Sequence, residues 1–168
     1  MPIRAGRRSD LDDLTDIYNH YVGTTHTTFD LAPVSAAERG AWLDQFGEAG
    51  PHRLWVLEEG ARAVGYACST AFKRKAAYRV SVETSVYLAP GLSGGGRGTR
   101  LMRALLESLS GEPVHGAFAG VALPNDASER LHEKLGYRRV GVLAEVGYKF
   151  DRYWDVAWYQ KILDGEGR

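Results

Sequence analysis

The chain has 168 residues, 44% of them hydrophobic and 25% charged, so it is long enough for one well-filled core and too short for two ordinary domains. Lys and Arg together number 21, as do Asp and Glu, and this zero net charge argues against nucleic acid or an anionic membrane as a partner. The single cysteine excludes an intramolecular disulfide, and no apolar run approaches the roughly 18 residues of a membrane span.

The first part of the chain predicts a short strand followed by two helices. Ser9, with Asp12 three residues later, predicts a capping box at the start of the first helix. Ser35 with Glu38 predicts a second capping box, and apolar residues recur at helical spacing after each of them. The polar, irregular segment 23–29 between the two helices is typical of loops that border substrate sites.

An antiparallel sheet is predicted next, with a hairpin over residues 53–58 and 62–72 and a long strand over residues 78–88. Side chains alternate between the faces of that strand, so one face carries Val80, Val82, Thr84 and Val86 and the other carries Arg79, Ser81, Glu83, Ser85 and Tyr87. A carboxylate such as Glu83 is disfavoured inside a strand and costly to bury. The polar face therefore indicates a cleft, with an ordinary solvated Glu as the plain alternative.

A glycine-dense loop over residues 89–98 joins this strand to the next predicted helix. Glycines let the main chain approach an anion closely, and the free N–H groups at the start of the following helix favour negative charge. A Walker loop needs a Lys that is missing here, and the dinucleotide fingerprint needs a small residue where Leu101 stands. The loop predicts a site for another kind of phosphorylated ligand, unless it is simply a glycine-rich surface loop.

The remaining segments complete a predicted α+β order, which is strand, two helices, three antiparallel strands, helix, strand, helix and two strands. The last of them are a helix to about residue 110, a strand over 114–121, a helix that ends before Gly136, and strands over 138–148 and 153–162. We expect a single cytoplasmic domain over residues 1–163, without a signal peptide, and a loose tail over residues 164–168.

Several blocks occur together in one order and spacing over nearly the entire chain. They are Ala77-Tyr78, residues 82–87 with the glycine loop, Leu123-Pro124-Asn125-Asp126, residues 130–137, Gly147-Tyr148-Lys149 and Trp154-Asp155-Val156. In these blocks the chain resembles the GNAT acetyltransferases, and among them the phosphinothricin and methionine sulfoximine N-acetyltransferases. The resemblance implies the GNAT fold, an α+β fold with a mixed sheet of about seven mostly antiparallel strands and about four helices.

The resemblance also implies acetyl-CoA as co-substrate, with its pyrophosphate bound by main-chain N–H groups of the glycine loop. The family's motif begins with Gln or Arg where this chain has Ser93, so we expect Arg97, Arg100 or Arg103 to supply charge instead. Asn125 reads equally well as a plain helix N-cap. The residues that the resemblance assigns to the co-substrate are Val86, Tyr87, Leu88, Ser93, Gly94, Gly95, Gly96, Arg97, Gly98, Thr99, Asn125 and Ser128.

Two residues match the family's catalytic positions. Glu83 corresponds to the carboxylate that takes a proton from the substrate ammonium, directly or through water. His132 stands where many members carry a Tyr thought to protonate the CoA thiolate, so it is a candidate general acid or a polar partner for the sulfur, although a lone helical His is ordinarily structural. We expect a main-chain N–H near residues 86–88 to stabilise negative charge on the thioester oxygen.

Four cations between residues 73 and 79 precede the catalytic strand, a suitable place to hold a carboxylate, unless they form a solvated charge run. Lys73 and Arg79 match basic positions of amino-acid-accepting relatives, and Phe29, Tyr78 and Lys149 are expected to line the rest of the acceptor pocket. No metal is expected, because His20, His26, His52 and His115 lack metal-ligand spacing, and Cys68 is predicted to be a core residue.

The expected activity is acetyl transfer to the α-amino group of a small amino-acid-like acceptor, by direct attack in a ternary complex. A homodimer is expected from the resemblance alone. One rival is an acetyltransferase for a polyamine, an aminoglycoside or a protein N-terminus, and the cationic segment argues against the polycations. The other rival is a non-catalytic acyl-CoA sensor, which needs neither Glu83 nor His132.

Overall fold

The computed structural model describes residues 1–163, and the tail predicted at residues 164–168 lies outside the described residues. Within that range seven strands and four α-helices follow one another in the predicted order. The strands are β1 (Ile3–Ala5), β2 (Leu54–Glu59), β3 (Arg62–Ala71), β4 (Ser81–Leu88), β5 (Gly116–Ala122), β6 (Arg138–Lys149) and β7 (Arg152–Ile162). The helices are α1 (Leu11–Thr24), α2 (Ala36–Leu43), α3 (Arg97–Ser108) and α4 (Asp126–Lys134).

All seven strands join one mixed sheet in the order β1-β2-β3-β4-β5-β7-β6. Neighbouring strands are antiparallel except β4 and β5, which run parallel. The connection between these two strands passes through α3, as parallel strands require. The α+β class and the mostly antiparallel sheet are therefore confirmed.

The helices cover the two faces of the sheet and create two cores. On one face α1 and α2 bury Leu14, Ile17 and Leu43 against β2 and β3. On the other, α3 buries Leu101 and Met102 completely, in the same cluster that α4 contacts. Full burial of such side chains contributes about 1.5–3 kcal/mol each. None of the helices over residues 1–163 is both long and apolar enough to cross a membrane.

One of the two predicted capping boxes is confirmed, and the other is wrong. At α2, Ser35 accepts a hydrogen bond from the Glu38 main chain at 3.2 Å, and Glu38 accepts one from the Ser35 main chain at 2.8 Å. Before α1 the corresponding acceptor is Asp10, whose carboxylate takes the Arg7 N–H at 2.8 Å. Asp10 also pairs with a basic side chain, Arg4, which holds the pKa of its carboxyl below the ordinary value.

The long central strand begins later than its residue pattern predicts. Residues Ala76–Val80 form a short 3₁₀ helix, and β4 starts at Ser81. From there Val82 and Thr84 are buried while Ser81, Glu83 and Ser85 are partly exposed, so the predicted alternation is confirmed over residues 81–85, whereas Val86 is only partly buried. Arg79 is not on its polar face, because a 3₁₀ turn does not carry the two-residue alternation of a strand onward.

Candidate active site

The sheet opens between its two parallel strands. β4 and β5 pair over only three residues of each strand, the last pair being Glu83 with Phe118. Thr84 closes the apex of the opening, since its hydroxyl lies 3.2 Å from the Phe118 carbonyl oxygen and 2.9 Å from the Tyr137 hydroxyl. Beyond Thr84, β4 remains paired with β3 while its other edge faces a gap instead of a strand.

The glycine loop places the N-terminus of α3 beside this gap. Gly94, Gly95 and Gly96 have φ angles of 88°, 60° and 73°, which L side chains rarely adopt. Gly96 is the N-cap and brings no side chain to the helix end, and the first main-chain bond of the helix runs from the Arg100 N–H to the Gly96 carbonyl at 3.0 Å. The N–H groups of residues 97–99 are thus available to an anion, and the helix dipole favours its charge.

A cleft of about 550 Å³ occupies the gap between the strands and the start of α3. Every residue predicted to hold the co-substrate lines it, except Gly95, which lies within the same loop. Those lining residues are Val86, Tyr87, Leu88, Ser93, Gly94, Gly96, Arg97, Gly98, Thr99, Asn125 and Ser128. The predicted co-substrate residues come from two separate segments, 86–99 and 125–128, and the fold brings both segments to one cleft.

The opposite wall of the cleft is the first turn of α4. Asn125 is the N-cap of that helix, and its side-chain oxygen accepts the Ser128 N–H at 3.2 Å. The plain capping role is therefore present, and Asn125 faces the cleft as well. Its amide nitrogen makes no hydrogen bond to residues 1–163 and remains a donor for a ligand.

His132 lies one turn further along α4, buried between Tyr137 and Tyr159, and it also lines the cleft. Its Nδ1–H donates to the Ser128 carbonyl at 2.8 Å, whereas its buried Nε2 has no partner among the described residues. Burial lowers the pKa of the imidazole below 6.5 although the bond to Ser128 opposes that shift. At neutral pH, His132 is therefore a neutral side chain whose Nε2 has a free lone pair that can accept a hydrogen bond.

A second cavity, of about 250 Å³, lies on the α1 and α2 side of β4. Its walls share Ser85 and Tyr87 with the cleft, so the two spaces lie next to each other at the middle of β4. The other wall residues include Tyr18, Arg39, Trp42 and Tyr66, which the sequence did not single out as functional. One signal was available: Arg39 precedes Leu43 by four residues, which places it on the buried face of α2.

Glu83 lies two residues before Ser85, on the same face of β4, and is paired across the sheet with Thr70, a wall residue of the second cavity. Its carboxylate is half-buried, and no cation of residues 1–163 lies within 4 Å of it. Burial raises the pKa of this carboxyl above its ordinary value of 4.5. Glu83 itself is not among the wall residues of either cavity, whereas its neighbours Thr70 and Ser85 line the second one, so its catalytic role stays a prediction.

The structure does not bring the five predicted acceptor residues to either cavity wall. Lys73, Tyr78 and Arg79 are exposed on the segment before β4. The Lys149 ammonium is buried and donates to the Thr28 carbonyl at 2.8 Å. Phe29 packs against Gly147 so closely that a Cβ at that glycine would overlap its ring.

Comparisons with known proteins agree with this arrangement. The profile of the Acetyltransferase (GNAT) family matches residues 13–137. A phosphinothricin N-acetyltransferase of Streptomyces coelicolor is 50% identical over 97% of this chain and 96% of its own length. An L-methionine sulfoximine/L-methionine sulfone acetyltransferase of Pseudomonas aeruginosa is 33% identical over 96% of this chain and 94% of its own.

Among solved structures, an acetyltransferase of Salmonella typhimurium with its cofactor acetyl-CoA superposes with a TM-score of 0.92 at 32% identity. The match covers 100% of this chain and 96% of that one. The chain belongs to the GNAT acetyltransferase family. It is an acetyl-CoA-dependent N-acetyltransferase, as the resemblance predicted.

The residues of this GNAT enzyme fit acetyl-CoA on their own chemistry. Uncapped N–H groups at the start of α3 suit a pyrophosphate, and the free edge of β4 offers main-chain donors and acceptors to an amide-containing arm. Arg97 lines the cleft close to those N–H groups and adds positive charge. Over residues 1–163 no group of three or more His, Cys, Asp or Glu side chains has an arrangement that could hold a metal ion.

Proposed function

We propose that this GNAT enzyme acetylates the α-amino group of a small amino acid of the phosphinothricin or methionine sulfoximine type, by direct attack in a ternary complex. The observation that carries the proposal is that the co-substrate cleft and a separate, smaller cavity share the wall residues Ser85 and Tyr87 of β4. Two ligands held in these neighbouring cavities can therefore approach each other at β4 and react without a covalent enzyme intermediate. The names of the Streptomyces and Pseudomonas relatives supply the acceptor class.

Glu83 is the proposed general base. The acceptor reaches the enzyme as an ammonium ion and has to lose a proton before its nitrogen can attack. Glu83 has no ion-pair partner among the described residues, so its carboxylate is available to accept that proton. Burial raises the pKa of this carboxyl toward that of the amine, which favours the transfer. The overall reaction releases one proton for each amide formed, and Glu83 passes that proton to solvent, directly or through a water.

His132 is proposed as the polar partner of the sulfur. Of the two roles that the sequence allowed, its environment favours this one, because an imidazole with a lowered pKa and Nδ1–H bound to Ser128 carries no proton on Nε2 at neutral pH. The departing sulfur takes the second proton that the amine nitrogen loses as the amide forms, and the unpartnered Nε2 can accept a hydrogen bond from the resulting thiol.

Acetyl-CoA supplies an acetyl group activated as a thioester. The enzyme's own contribution at the carbonyl is the open edge of β4, where main-chain N–H groups of residues 86–88 are proposed to stabilise negative charge on the oxygen. Lys73, Tyr78 and Arg79, with Phe29 and Lys149, remain proposed contributors to the acceptor side. Three of them lie on an exposed segment that precedes β4, and movement of that segment is needed to bring them to the cavity.

We also propose that the enzyme is a cytoplasmic homodimer. β6 is an edge strand, and its apolar side chains Val140, Val142, Leu143 and Val146 are 42–55% exposed. Contiguous apolar side chains of this kind ordinarily mark an interface. A buried free thiol, Cys68, suits a reducing compartment.

The decisive test is acetyl-CoA-dependent thiol release by the purified enzyme with a panel of acceptors. The panel holds methionine sulfoximine, phosphinothricin, ordinary amino acids, a polyamine, an aminoglycoside and a peptide with a free N-terminus. Fastest release with the first two is the expected result. Release only with the polyamine, the aminoglycoside or the peptide would reject the acceptor class, and acetyl-CoA binding without release from any acceptor would favour the sensor.

A further inference from the structure

Arg39 is a buried arginine that the proposed mechanism leaves without a role. It lies on α2 and is 5% exposed. Its guanidinium carbon lies 3.4 Å from the ring centroid of Trp42, and its Nη2 donates a hydrogen bond to the Tyr66 hydroxyl at 2.7 Å. Stacking on the Trp42 ring and the hydrogen bond to the Tyr66 hydroxyl thus hold the guanidinium in place.

The charge of Arg39 has no carboxylate partner. Within the described part of the chain no Asp or Glu oxygen lies within 4 Å of the guanidinium, and Nε makes no hydrogen bond. The two carboxylates beside it are engaged elsewhere, because Asp30 accepts the Tyr18 hydroxyl and Glu38 accepts the Ser35 main chain. A buried Arg is rarely left unpaired, since removing its charge from water is unfavourable unless an anion compensates.

The position of Arg39 relative to the reacting groups suits an acceptor molecule. Arg39 is a wall residue of the smaller cavity, together with Cys68, Thr70 and Ser85. It contacts Tyr66, whereas Glu83 is paired with Thr70, four residues further along β3. At about 3.4 Å per residue, Tyr66 and Thr70 are about 14 Å apart along β3, and Cys68, the partner of Ser85, lies midway between them.

We infer that Arg39 binds the carboxylate of the acceptor amino acid in the smaller cavity, so that the amino group points toward Ser85 and Glu83. This inference rests on the proposed function and names the group that selects amino acids over other amines. A guanidinium fork recognises a planar carboxylate through two parallel N–H···O bonds, and Arg39 is held rigidly enough to do so. Lys73 and Arg79, the basic residues suggested by the sequence, are exposed and lie outside that cavity.

A purely structural Arg39, satisfied by stacking on Trp42, predicts a different specificity. It would support α2 and the cavity for every acceptor alike. A carboxylate-binding Arg39 matters only for acceptors that carry the carboxylate. The comparison of methionine sulfone with its carboxamide isolates this difference, because the two molecules differ only in the group that Arg39 is inferred to bind.

The experiment measures kcat and KM for both acceptors with wild-type enzyme, Arg39→Gln, Arg39→Lys, Arg79→Gln and the control Arg138→Gln, an exposed arginine of β6. We expect Arg39→Gln to lower kcat/KM for methionine sulfone about 100-fold, mainly through KM, and to change the value for the carboxamide less than about threefold. Arg39→Lys, which keeps the charge without the fork, should retain part of the selectivity. Acetyl-CoA affinity and thermal unfolding of each variant report whether it is folded.

Equal losses with both acceptors, or a carboxylate-selective loss in Arg79→Gln instead of Arg39→Gln, would overturn the inference while the proposed function stands. Calorimetric binding of methionine sulfone to the CoA-loaded protein separates the two claims further, since it requires no turnover. Binding that depends on Arg39 and on the carboxylate, in a protein that acetylates no amino acid, would support the inference and reject the proposed function. Absence of both binding and turnover would reject both.

Discussion

At the scale of single residues, Glu83 and His132 have opposite pKa shifts, which suit the different roles proposed for them. Burial acts on both, and it disfavours the charged form of each. The carboxyl pKa of Glu83 therefore rises while the imidazole pKa of His132 falls. The result is a carboxyl group on β4 with increased proton affinity and an imidazole on α4 that is neutral at neutral pH.

The role proposed for Glu83 as general base is tested by its substitution. Glu83→Gln keeps the shape of the side chain and removes its proton affinity, so kcat/KM should fall about 100-fold or more while acetyl-CoA affinity stays nearly constant. The wild-type kcat/KM should decline as the pH falls through a value above 4.5, the ordinary pKa of Glu, and the variant should lack that decline. Glu107→Gln, an exposed position on α3, is the control. Wild-type turnover by Glu83→Gln would contradict the assignment.

The lowered pKa of His132 provides a stability prediction. The unfolded chain takes up a proton at this histidine near pH 6.5, whereas the folded chain does so only at lower pH. The free energy of unfolding should thus fall as the pH falls below 6.5, with a contribution from this group of at most about 1.4 kcal/mol per pH unit. Urea unfolding at several pH values checks this. His132→Gln should flatten the dependence, and an unchanged slope would show that other groups cause it.

At the scale of secondary-structure elements, the site depends on contacts between the loop that joins α1 to α2 and the strands of the sheet. The segment between α1 and α2 is tied to β6 at two points, by the bond from Lys149 to the Thr28 carbonyl and by the packing of Phe29 on Gly147. His26 stacks on Trp154 of β7 and bonds to the Pro124 carbonyl, beside the start of α4. These contacts join the acceptor side of the molecule to the co-substrate side.

The packing of Phe29 is tested by a pair of glycines on one strand. Gly147→Ala puts a methyl group into the ring of Phe29, so we expect a loss of about 1–3 kcal/mol in unfolding free energy and a raised KM for the acceptor. Gly141→Ala, where nothing lies within 4 Å of the added carbon, should change neither. Chemical denaturation and steady-state kinetics of both variants provide the comparison, and equal behaviour of the two would refute the packing argument.

The helices, the strands and the residues of the co-substrate cleft could be predicted from the sequence, because both kinds of feature depend on local sequence patterns. Glycines with positive φ, an N-cap Asn and alternation along β4 are short-range features, and they led to the cleft. The acceptor side depends on long-range packing. Arg39 meets Tyr66 across 27 residues, and Lys149 meets Thr28 across 121, so neither contact has a local signal. Arg79 was predicted to lie on the polar face of β4 because the alternating pattern begins before it, but the strand itself starts two residues later, at Ser81.

At the scale of the whole molecule, the two edges of the sheet differ. β1 at one edge has three residues, whereas β6 at the other has twelve and exposes several apolar side chains. A long apolar edge strand invites association unless it is covered. A partner that covers the β6 face would also lie against the strand that carries Lys149 and contacts Phe29.

An interface at β6 makes a specific prediction about oligomeric state. Val142→Glu places a charge on that face and should convert the dimer to a monomer in analytical ultracentrifugation. Ala61→Glu introduces the same charge at the exposed turn between β2 and β3 and should leave the dimer intact. A Val142→Glu protein that sediments like the wild type would exclude this face as the interface.

Because β4 and β5 pair over only part of their length, the sheet has an unpaired strand edge in its middle, in addition to its two edge strands β1 and β6. Such an edge is a template for another extended chain, and acetyl-CoA is the ligand that would cover it. The enzyme without ligand should therefore aggregate more readily on storage than the loaded form. Slowed amide hydrogen exchange along residues 84–88 upon loading should accompany that protection.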